Sequence, residues 1–464
     1  MRISLVFLTS LLALSAFGAD RLVPSQYATI QQAVDAAITG DNVVISPGIY
    51  SGQGNRDIDL HGKSITVRST NPNDPDIVNN TVIDCYDFAP VSHSGFIFQS
   101  ISSSEISGLT VMNAQTTMDG GGMRFMNCGS PIISNCVITY NDAQRGAGIF
   151  CQNAAPIFTN CTISENWSTQ SGGGVYCRDS SPKFFNCDIS GNLVMGTGPN
   201  LGGGFYFEGN NNPTFENTWI TDNLATSDGG GLYSQNGLTI ERCIISGNIS
   251  QRSGGAIFCN TVGTLNLSDC VITGNSATSY GGAISAGDTI ITNCTFSGNR
   301  SYQPNNSTIY AGLSIFKITN SIIWGETPNI IQSRGTTPDI RYSDIQWPYY
   351  KNPYIGRDVT GNLAIDPYFT APGRWQSNNW ISGDYHLSID SVCINTGDPN
   401  NAAYIYEKDL DGQPRIKLGR IDMGAYEGDT HPMDFDQNGI VDFVDFAKMA
   451  EAWMWQAKWH VPSH

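Results

Sequence analysis

Charge is what this chain has least of. Only 14% of its 464 residues are Asp, Glu, Lys or Arg, and six more are His. The 24 Lys and Arg are outnumbered by 41 Asp and Glu, for a net charge of −17. No basic patch of the kind that holds a phosphate backbone can be drawn from them, which argues against a nucleic-acid partner. A polyanionic polysaccharide would also be repelled unless bound calcium offset the charge locally. Neutral glycans or cationic surfaces suit the balance better. His does not cluster near the cysteines and no tight Cys pair occurs, so a structural zinc site is not indicated. Beyond Ile3–Leu14 no apolar run is long enough to span a membrane. Helical periodicity is missing from the whole middle of the chain.

In its place a phrase recurs about every 26 residues. It runs Gly-Gly, an apolar-aromatic pair, a turn, Asn-Cys-x-Ile, then Ser-Gly-Asn. Aligned on the last Asn, the copies give a ladder of Asn113, Asn141, Asn166, Asn192, Asn223, Asn248, Asn275 and Asn299, in steps of 24 to 31 residues. A period of this size signals a solenoid, in which each repeat packs only on its neighbours. The units are short strands, so the reading is an all-β parallel β-helix with three strands per coil. In the coil Gly229–Asn248 the three strands centre on Tyr233, Leu238 with Ile240, and Cys243 with Ile245. Gln235-Asn236 and Glu241-Arg242 make the bends.

Alternation places Cys136, Cys161, Cys187, Cys243, Cys270 and Cys294 at one inward position, and Cys151, Cys177 and Cys259 at another. Twelve Cys in an exported chain could also staple coils as disulfides. The shared inward place favours a ladder of buried thiols, because parallel Cβ vectors give poor disulfide geometry. Asn tolerates left-handed turns and stacks amide to amide, which makes the Asn ladder structural.

The ends differ from the middle. Residues 1–19 read as a signal peptide, with Arg2 before the apolar run and cleavage after Gly18 or Ala19. Extracellular or cell-surface localisation follows as an expectation. Residues 22–428 form the β-helix. A capping helix at about 28–38 buries Ile30, Ala33, Val34, Ala37 and Ile38. Regular coils run over about 106–324, and irregular C-terminal coils over 325–428. Residues 429–464 make a tail. There Asp434, Asp436, Asn438, Gly439, Ile440, Asp442 and Asp445 fit positions 1, 3, 5, 6, 7, 9 and 12 of a calcium loop. Asp434, Asp436, Asn438, Asp442 and Asp445 would offer side-chain oxygens, and Ile440 its carbonyl. Phe446, Met449, Ala450 and Trp453 then line one face of a helix. Calcium is the one cofactor expected.

The opening VPSQYATIQQAVDAAITGDNVVISPGIY and the closing CINTGDPN with DLDGQPRIKLGRIDMGAYEG resemble the ends of bacterial secreted right-handed parallel β-helix repeat proteins, the pectate-lyase-like architecture. The likeness covers about residues 22–428 and implies the fold. It implies polysaccharide chemistry only by analogy, since the fold also serves adhesins. The tail is similar to half of a type I dockerin, which would attach to a cohesin-like or cell-surface protein. A dockerin usually has two such segments, and this tail shows one.

Polygalacturonase-like motifs are absent apart from Arg415-Ile416-Lys417, which reads as coincidence. Asp119, Asp142, Asp188, Asp222 and Asp228, with Arg145, Arg178 and Arg252, form no ladder suited to a calcium lyase. No catalytic residue is assigned. The candidate glycan surface is an outward strip of Phe150, Tyr176, Tyr206, Tyr233 and Phe258, spanning roughly 19 Å at the coil spacing. Trp167 and the insertion Leu193–Leu201 border it. Such a stack can equally be sheet packing. The functional expectation is a secreted β-helix that binds or processes extracellular polysaccharide, with a calcium-binding tail. A non-catalytic structural or adhesive protein, and a calcium-dependent lyase or glycoside hydrolase, remain open beside it.

Overall fold

In a computed structural model, described for residues 18–87, 92–100, 103–196, 198–260, 262–303, 307–325, 329–346, 360–400, 407–417, 420–428 and 443–457, the chain winds as a parallel β-solenoid. Three long parallel sheets have 13, 12 and 11 strands, and are called A, B and C here. A fourth sheet, D, has seven short strands. One coil shows the plan. Ile157–Thr159 lies in A, Thr162–Ser164 in B, Trp167–Ser171 in D and Val175–Arg178 in C. The three-strand expectation is therefore corrected in the middle coils. After the third strand the backbone straightens for two to five residues and adds a fourth, as at Ile249–Ser250.

The repeated phrase encodes the corners. In this coil Asn160 (φ 52°), Glu165 (φ 54°), Gly172 (φ 62°) and Asp179 (φ 48°) each take the left-handed conformation, one per bend. Asn, Asp and Gly dominate such positions because their short or absent side chains carry the least penalty there. The second glycine of each pair answers a different demand. A Cβ on Gly203 would lie 2.4 Å from the carbonyl oxygen of Gly230 in the next coil, too close for any side chain.

The Asn ladder runs through seven coils, Asn141 to Asn299, all at most 1% exposed. From Asn166 on, each side-chain oxygen accepts from both the backbone N–H and the side-chain amide of the preceding rung, while Asn141 Oδ1 accepts the Ala114 N–H. Asn192 donates to Asn223 Oδ1 from N and Nδ2, both at 3.0 Å. Asn223 Nδ2 donates in turn to Asn248 Oδ1 at 2.9 Å and to the Ile189 carbonyl at 2.8 Å. Asn113 is not a rung. Strand register aligns Thr110 with Val137 and Met112 with Thr139, so Ala114 stands opposite Asn141 and Asn113 holds the left-handed corner. The ladder residues themselves are not left-handed; that role falls to the residue before each, such as Gly247.

All twelve cysteines are free and buried. Burial pushes the Cys136, Cys243 and Cys259 thiols up to about 12, so little reactive thiolate forms near neutral pH. Where the repeat drops Cys, Thr218, Ser321 and Ser343 fill the same column, all nearly inaccessible. The position selects small size. Beside it, Phe158, Phe184 and Phe215 stack at 4.9 and 5.6 Å between centroids.

At the N-terminal end the helix Ile30–Ala36 packs against the strands Asp20–Val23 and Asn42–Ile45. Thr29 starts it with a reciprocal capping box to Gln32. Ile30, Ala33 and Val34 enter the core, while Ile38 is 68% exposed and lies beyond the helix. At the other end the coils close at Asp344–Ile345. Residues 369–387 form antiparallel pairs rather than irregular coils. From there the chain folds back along the solenoid: Trp375 Nε1 donates to the Gly298 carbonyl, and Gly424 N–H to that of Asn320. The helix Phe443–Ala457 follows, and Asp445 is 1% exposed. Residues 1–17 of the signal segment, and Asp434, Asp436, Asn438, Ile440 and Asp442, lie outside the described residues. No helix among the described residues is long and apolar enough to cross a membrane.

Two tests follow from these contacts. Asn223→Ala leaves the Asn192 backbone N–H without its acceptor and removes one of the two bonds of the Asn192 amide in a dry interior. Urea unfolding should show a loss of about 2–4 kcal/mol. Asn113→Gly keeps its left-handed corner and should change stability by less than about 1 kcal/mol. A ladder that began at Asn113 would reverse the first rung's share of this contrast. The second test concerns Asp344, buried at the last coil and raised by desolvation to about 7. A carboxyl raised in the fold stabilises below its ordinary value and loses that contribution as pH rises through the folded one. The stability gain from Asp344→Asn should therefore grow between about pH 4 and about pH 7 and then level off. A difference independent of pH would contradict the assignment.

Candidate functional site

The outward aromatic strip exists as a stack, but its faces are not free. Phe150, Tyr176, Tyr206, Tyr233 and Phe258 lie ring on ring at 5.0 to 5.4 Å, with interplanar angles of 4 to 17°. One ring per coil at this spacing turns each face toward the next ring and leaves only edges to solvent. Even these are covered at one end. Phe150 and Tyr176 are each 1% exposed, beneath Arg145, whose guanidinium carbon lies 4.9 Å from the Tyr176 ring centre. The expectation of an outward glycan surface is corrected there, and the strip offers little stacking surface to a sugar. Trp167 is exposed and donates to the Met195 carbonyl.

The charged residues near the strip neutralise one another. Arg145 binds Asp119 at 2.6 Å, Arg178 binds Glu208 at 2.8 Å, and Arg252 binds the buried Asp228. Asp142, Asp188 and Asp222 are raised by partial burial on separate coils, Asp222 also by its neighbour Asp188.

The structure brings a different set together. On the corner between sheets A and B, the strand Thr214–Glu216 ends, Asn217 turns the chain, and Trp219–Thr221 begins sheet B. Thr218 and Ile220 point inward, so alternation turns Trp219 outward, 44% exposed. One coil on, Arg242 takes the corner that Asn holds in earlier coils and reaches back to Glu216 at 2.6 Å. Facing this corner is the returning C-terminal segment. Glu407, Lys408, Asp411 and Tyr426 form the second wall of a cleft of about 640 Å³.

That wall is pinned by a fully buried arginine. Arg415 is 0% exposed. Its Nε donates to Asp269 Oδ1 at 2.8 Å, and its Nη1 to Glu427 Oε1 at 3.1 Å and the Gly424 carbonyl at 3.0 Å. A guanidinium this deep is tolerable only because fixed acceptors surround it. Arg415 thus ties residue 269 of the solenoid to residue 427 of the returning chain, and it is inaccessible to any substrate. Asp269 occupies the same corner position as Arg242, again where the repeat writes Asn.

On the outer side of the cleft His386 stacks on Tyr426 at 4.0 Å and lies 2.6 Å from Asp411 Oδ2. Burial pulls its proton affinity down, but Asp411 and Asp384 overcome this and raise it. The ring thus ties Asp411 to the strand Asp384–Leu387. Glu407, though exposed, is raised from its ordinary value by partial desolvation and by the neighbouring Asp269. The cleft thus combines an open indole face, a tyrosine ring, a guanidinium and an ammonium. It also carries the carboxylates of Glu216, Glu407 and Asp411. Indole faces stack on sugar rings, and paired charged groups hydrogen-bond hydroxyls. None of the cleft residues was singled out from the sequence. The available signal was the breaking of the Asn corner at Arg242 and Asp269, together with a lone Trp at a position that holds Val137, Thr162 and Asp188 elsewhere. Among the described residues no group of three His, Cys, Asp or Glu side chains could hold a metal ion.

A family model described as right handed beta helix region matches residues 37–192, 99–251 and 147–335. Among solved structures the chain is similar to the pectate lyase Pel9A at 16% identity. That alignment covers 86% of this chain and 90% of that one, with a TM-score of 0.44. It is also similar to the PL6 family alginate lyase AlyGC at 12% identity, covering 80% and 57%, with a TM-score of 0.44. A mutant of the same lyase aligns at 11% identity, covering 78% and 55%, with a TM-score of 0.46. The chain spans just over half the length of the alginate lyase. No curated protein sequence matches it.

Proposed function

The chain belongs to the right-handed β-helix family, and on that scaffold we propose that it binds extracellular polysaccharide in the cleft between the A–B corner and the returning C-terminal segment. The carrying observation is Trp219, an indole 44% exposed on the wall of a cleft whose other side is Tyr426 and a set of charged hydrogen-bonding groups. Cations and anions alternate along the walls, so the cleft, unlike the molecule as a whole, is not strongly acidic. The reading includes export of the chain through residues 1–19 and a tail that uses calcium. A hydrolytic role is favoured by one specific observation: two carboxyl groups, Glu407 and Asp411, share a wall of the cleft, and that of Glu407 is raised from its ordinary value, the direction a general acid needs.

Affinity electrophoresis against neutral and uronate-containing polysaccharides tests the binding. Trp219→Ala should weaken retardation at least ten-fold with no change in fold, and Tyr233→Ala should leave it unaltered. Equal retardation of wild type and Trp219→Ala would remove the cleft as the site. Incubation with a bound polysaccharide separates the chemistries: new reducing ends without the ultraviolet absorbance of an unsaturated sugar, lost in Glu407→Gln, support hydrolysis; reducing ends with that absorbance indicate a lyase; and no products leave a binding protein.

For the tail, oxygen donors at alternate positions fit calcium chemistry, and Asp445, the last of the set, sits buried in the first turn of its helix. Asp434, Asp436, Asn438, Asp442 and Asp445 would supply side-chain oxygens and Ile440 a carbonyl. We place attachment to a cohesin-like or other surface protein on this module. Calorimetric titration of the full chain should detect calcium binding that weakens at least ten-fold in Asp434→Ala. The β-helix should unfold at the same temperature with or without chelator. Absence of heat at millimolar calcium would rule the loop out.

A further inference from the structure

The outer face of sheet B is a trough closed at both ends. Strand register puts Val137, Thr162, Asp188, Trp219 and Ile244 in one outward column. The position before Val137 is Thr110, 6% exposed beneath the helix Pro75–Asn79, whose Val78 carbonyl accepts its hydroxyl at 3.0 Å. The position after Ile244 is Val271, 2% exposed where the returning chain packs Tyr385 and Ala425 against it. Between these two covers the five residues are half-buried or exposed. Four coil steps separate the first from the last, about 19 Å along the axis.

Two cavities occupy this trough. The cleft already described holds its Trp219 end. A smaller one, of about 240 Å³, opens at the other end, lined by Val137 and Thr162 of the column and by Pro72, Pro75 and Val78 beside them. Its polar groups are mostly amides. Asn160 Nδ2 donates to Asn135 Oδ1 and Asn135 Nδ2 to Asn73 Oδ1, both at 3.2 Å, so the side chains are held in place with hydrogen-bonding capacity left over. Asn135, Asn160 and Asn186 turn successive A–B corners, and Asn186 lines the cleft, so the row of amides runs from one cavity to the other. Among the described residues no charged side chain lines the smaller cavity. In the cleft Arg242 is paired with Glu216, which leaves Lys408 beside Glu407 and Asp411. Midway along the column Asp188 is half-buried, and among the described residues no cation pairs with it.

We propose that one uncharged glycan chain lies lengthwise in this trough, from the Trp219 cleft to the amide-lined cavity, and that Asp188 at its middle turns uronate chains away. The inference rests on the glycan reading of the cleft and adds to it the rest of the path and the class of sugar. Amides both donate to and accept from hydroxyls, and proline and valine carbons suit the C–H face of a sugar ring. A polyuronate carries one carboxylate per unit and is held by cations spaced to match. This trough offers Lys408 and a guanidinium already bound to Glu216. A second carboxylate brought beside Asp188, partly out of water, meets a repulsion that no neighbouring cation offsets. A hydroxyl in the same place hydrogen-bonds the Asp188 carboxyl in either protonation state.

Calorimetric titration of the full chain with hexasaccharides and disaccharides of cellulose, xylan, mannan and galacturonan tests it. At least one neutral hexasaccharide should bind at least ten-fold more tightly than its own disaccharide and than hexagalacturonate. Asn135→Gly combined with Asn160→Gly removes the amides and keeps both left-handed corners. That variant should lose at least ten-fold in affinity for the hexasaccharide and bind the disaccharide as before. Asp188→Asn should raise the affinity for hexagalacturonate several-fold and change that for the neutral chain little. Three results would overturn the proposal while leaving the cleft as a site: equal binding of hexasaccharide and disaccharide, a hexasaccharide indifferent to the paired Asn changes, or galacturonate bound more tightly than every neutral chain. Undiminished binding of the neutral hexasaccharide by Trp219→Ala would remove the cleft itself, and this path with it. The same holds if the wild type binds none of the four hexasaccharides.

Discussion

Every coil must turn its corners at the same places as the coil below it. Parallel strands about 4.8 Å apart share one ladder of backbone hydrogen bonds, so a coil that bends one residue early forfeits its register on every sheet that follows. The protein meets this requirement with one left-handed residue at each bend and with an amide that reads its neighbour. Asn223 Oδ1 accepts two bonds from Asn192 and its amide donates to Asn248, so each rung checks the position of the next. The stacked cysteine column and the phenylalanine stacks are consequences of that register. Identical coil positions bring identical side chains together.

Because the constraint is local and repeated, it was legible. Gly-Gly, Asn-Cys-x-Ile and Ser-Gly-Asn announce corners, an inward small residue and a ladder, and these suffice for the parallel β-helix. The reading slipped where two Asn roles look alike in sequence. Asn113 and Asn141 both end a copy of the phrase, yet one is a left-handed corner and the other a buried rung, and only strand register separates them. It slipped again at sheet D, whose strands of two to five residues are too short to show alternation. The aromatic strip was placed correctly as a stack, but period alone cannot say that stacked rings spend their faces on each other.

The cleft was not legible, because half of it comes from more than 160 residues downstream. Arg242 and Asp269 stand where the repeat writes Asn, and each departs for a reason found elsewhere in the chain. Arg242 pairs with Glu216 on the cleft floor. Asp269 receives Arg415 and so holds the far wall. Arg415 itself reads as a stray motif in sequence. In the fold it is among the most deeply buried side chains and the tie that makes a groove out of two separate stretches. Departures from a repeat, more than the repeat, mark where such a scaffold meets something other than itself.

The account requires that this second wall is part of the native structure and not a loop lying on it. Native-state hydrogen exchange measures that directly. The amides of Arg415, Met423 and Gly424, bonded to the carbonyls of Glu407, Cys393 and Asn320, should exchange as slowly as Leu224 and Ile244 in the coils. Exchange of residues 407–428 at the rate of an open loop, with the coils still protected, would contradict a preformed cleft.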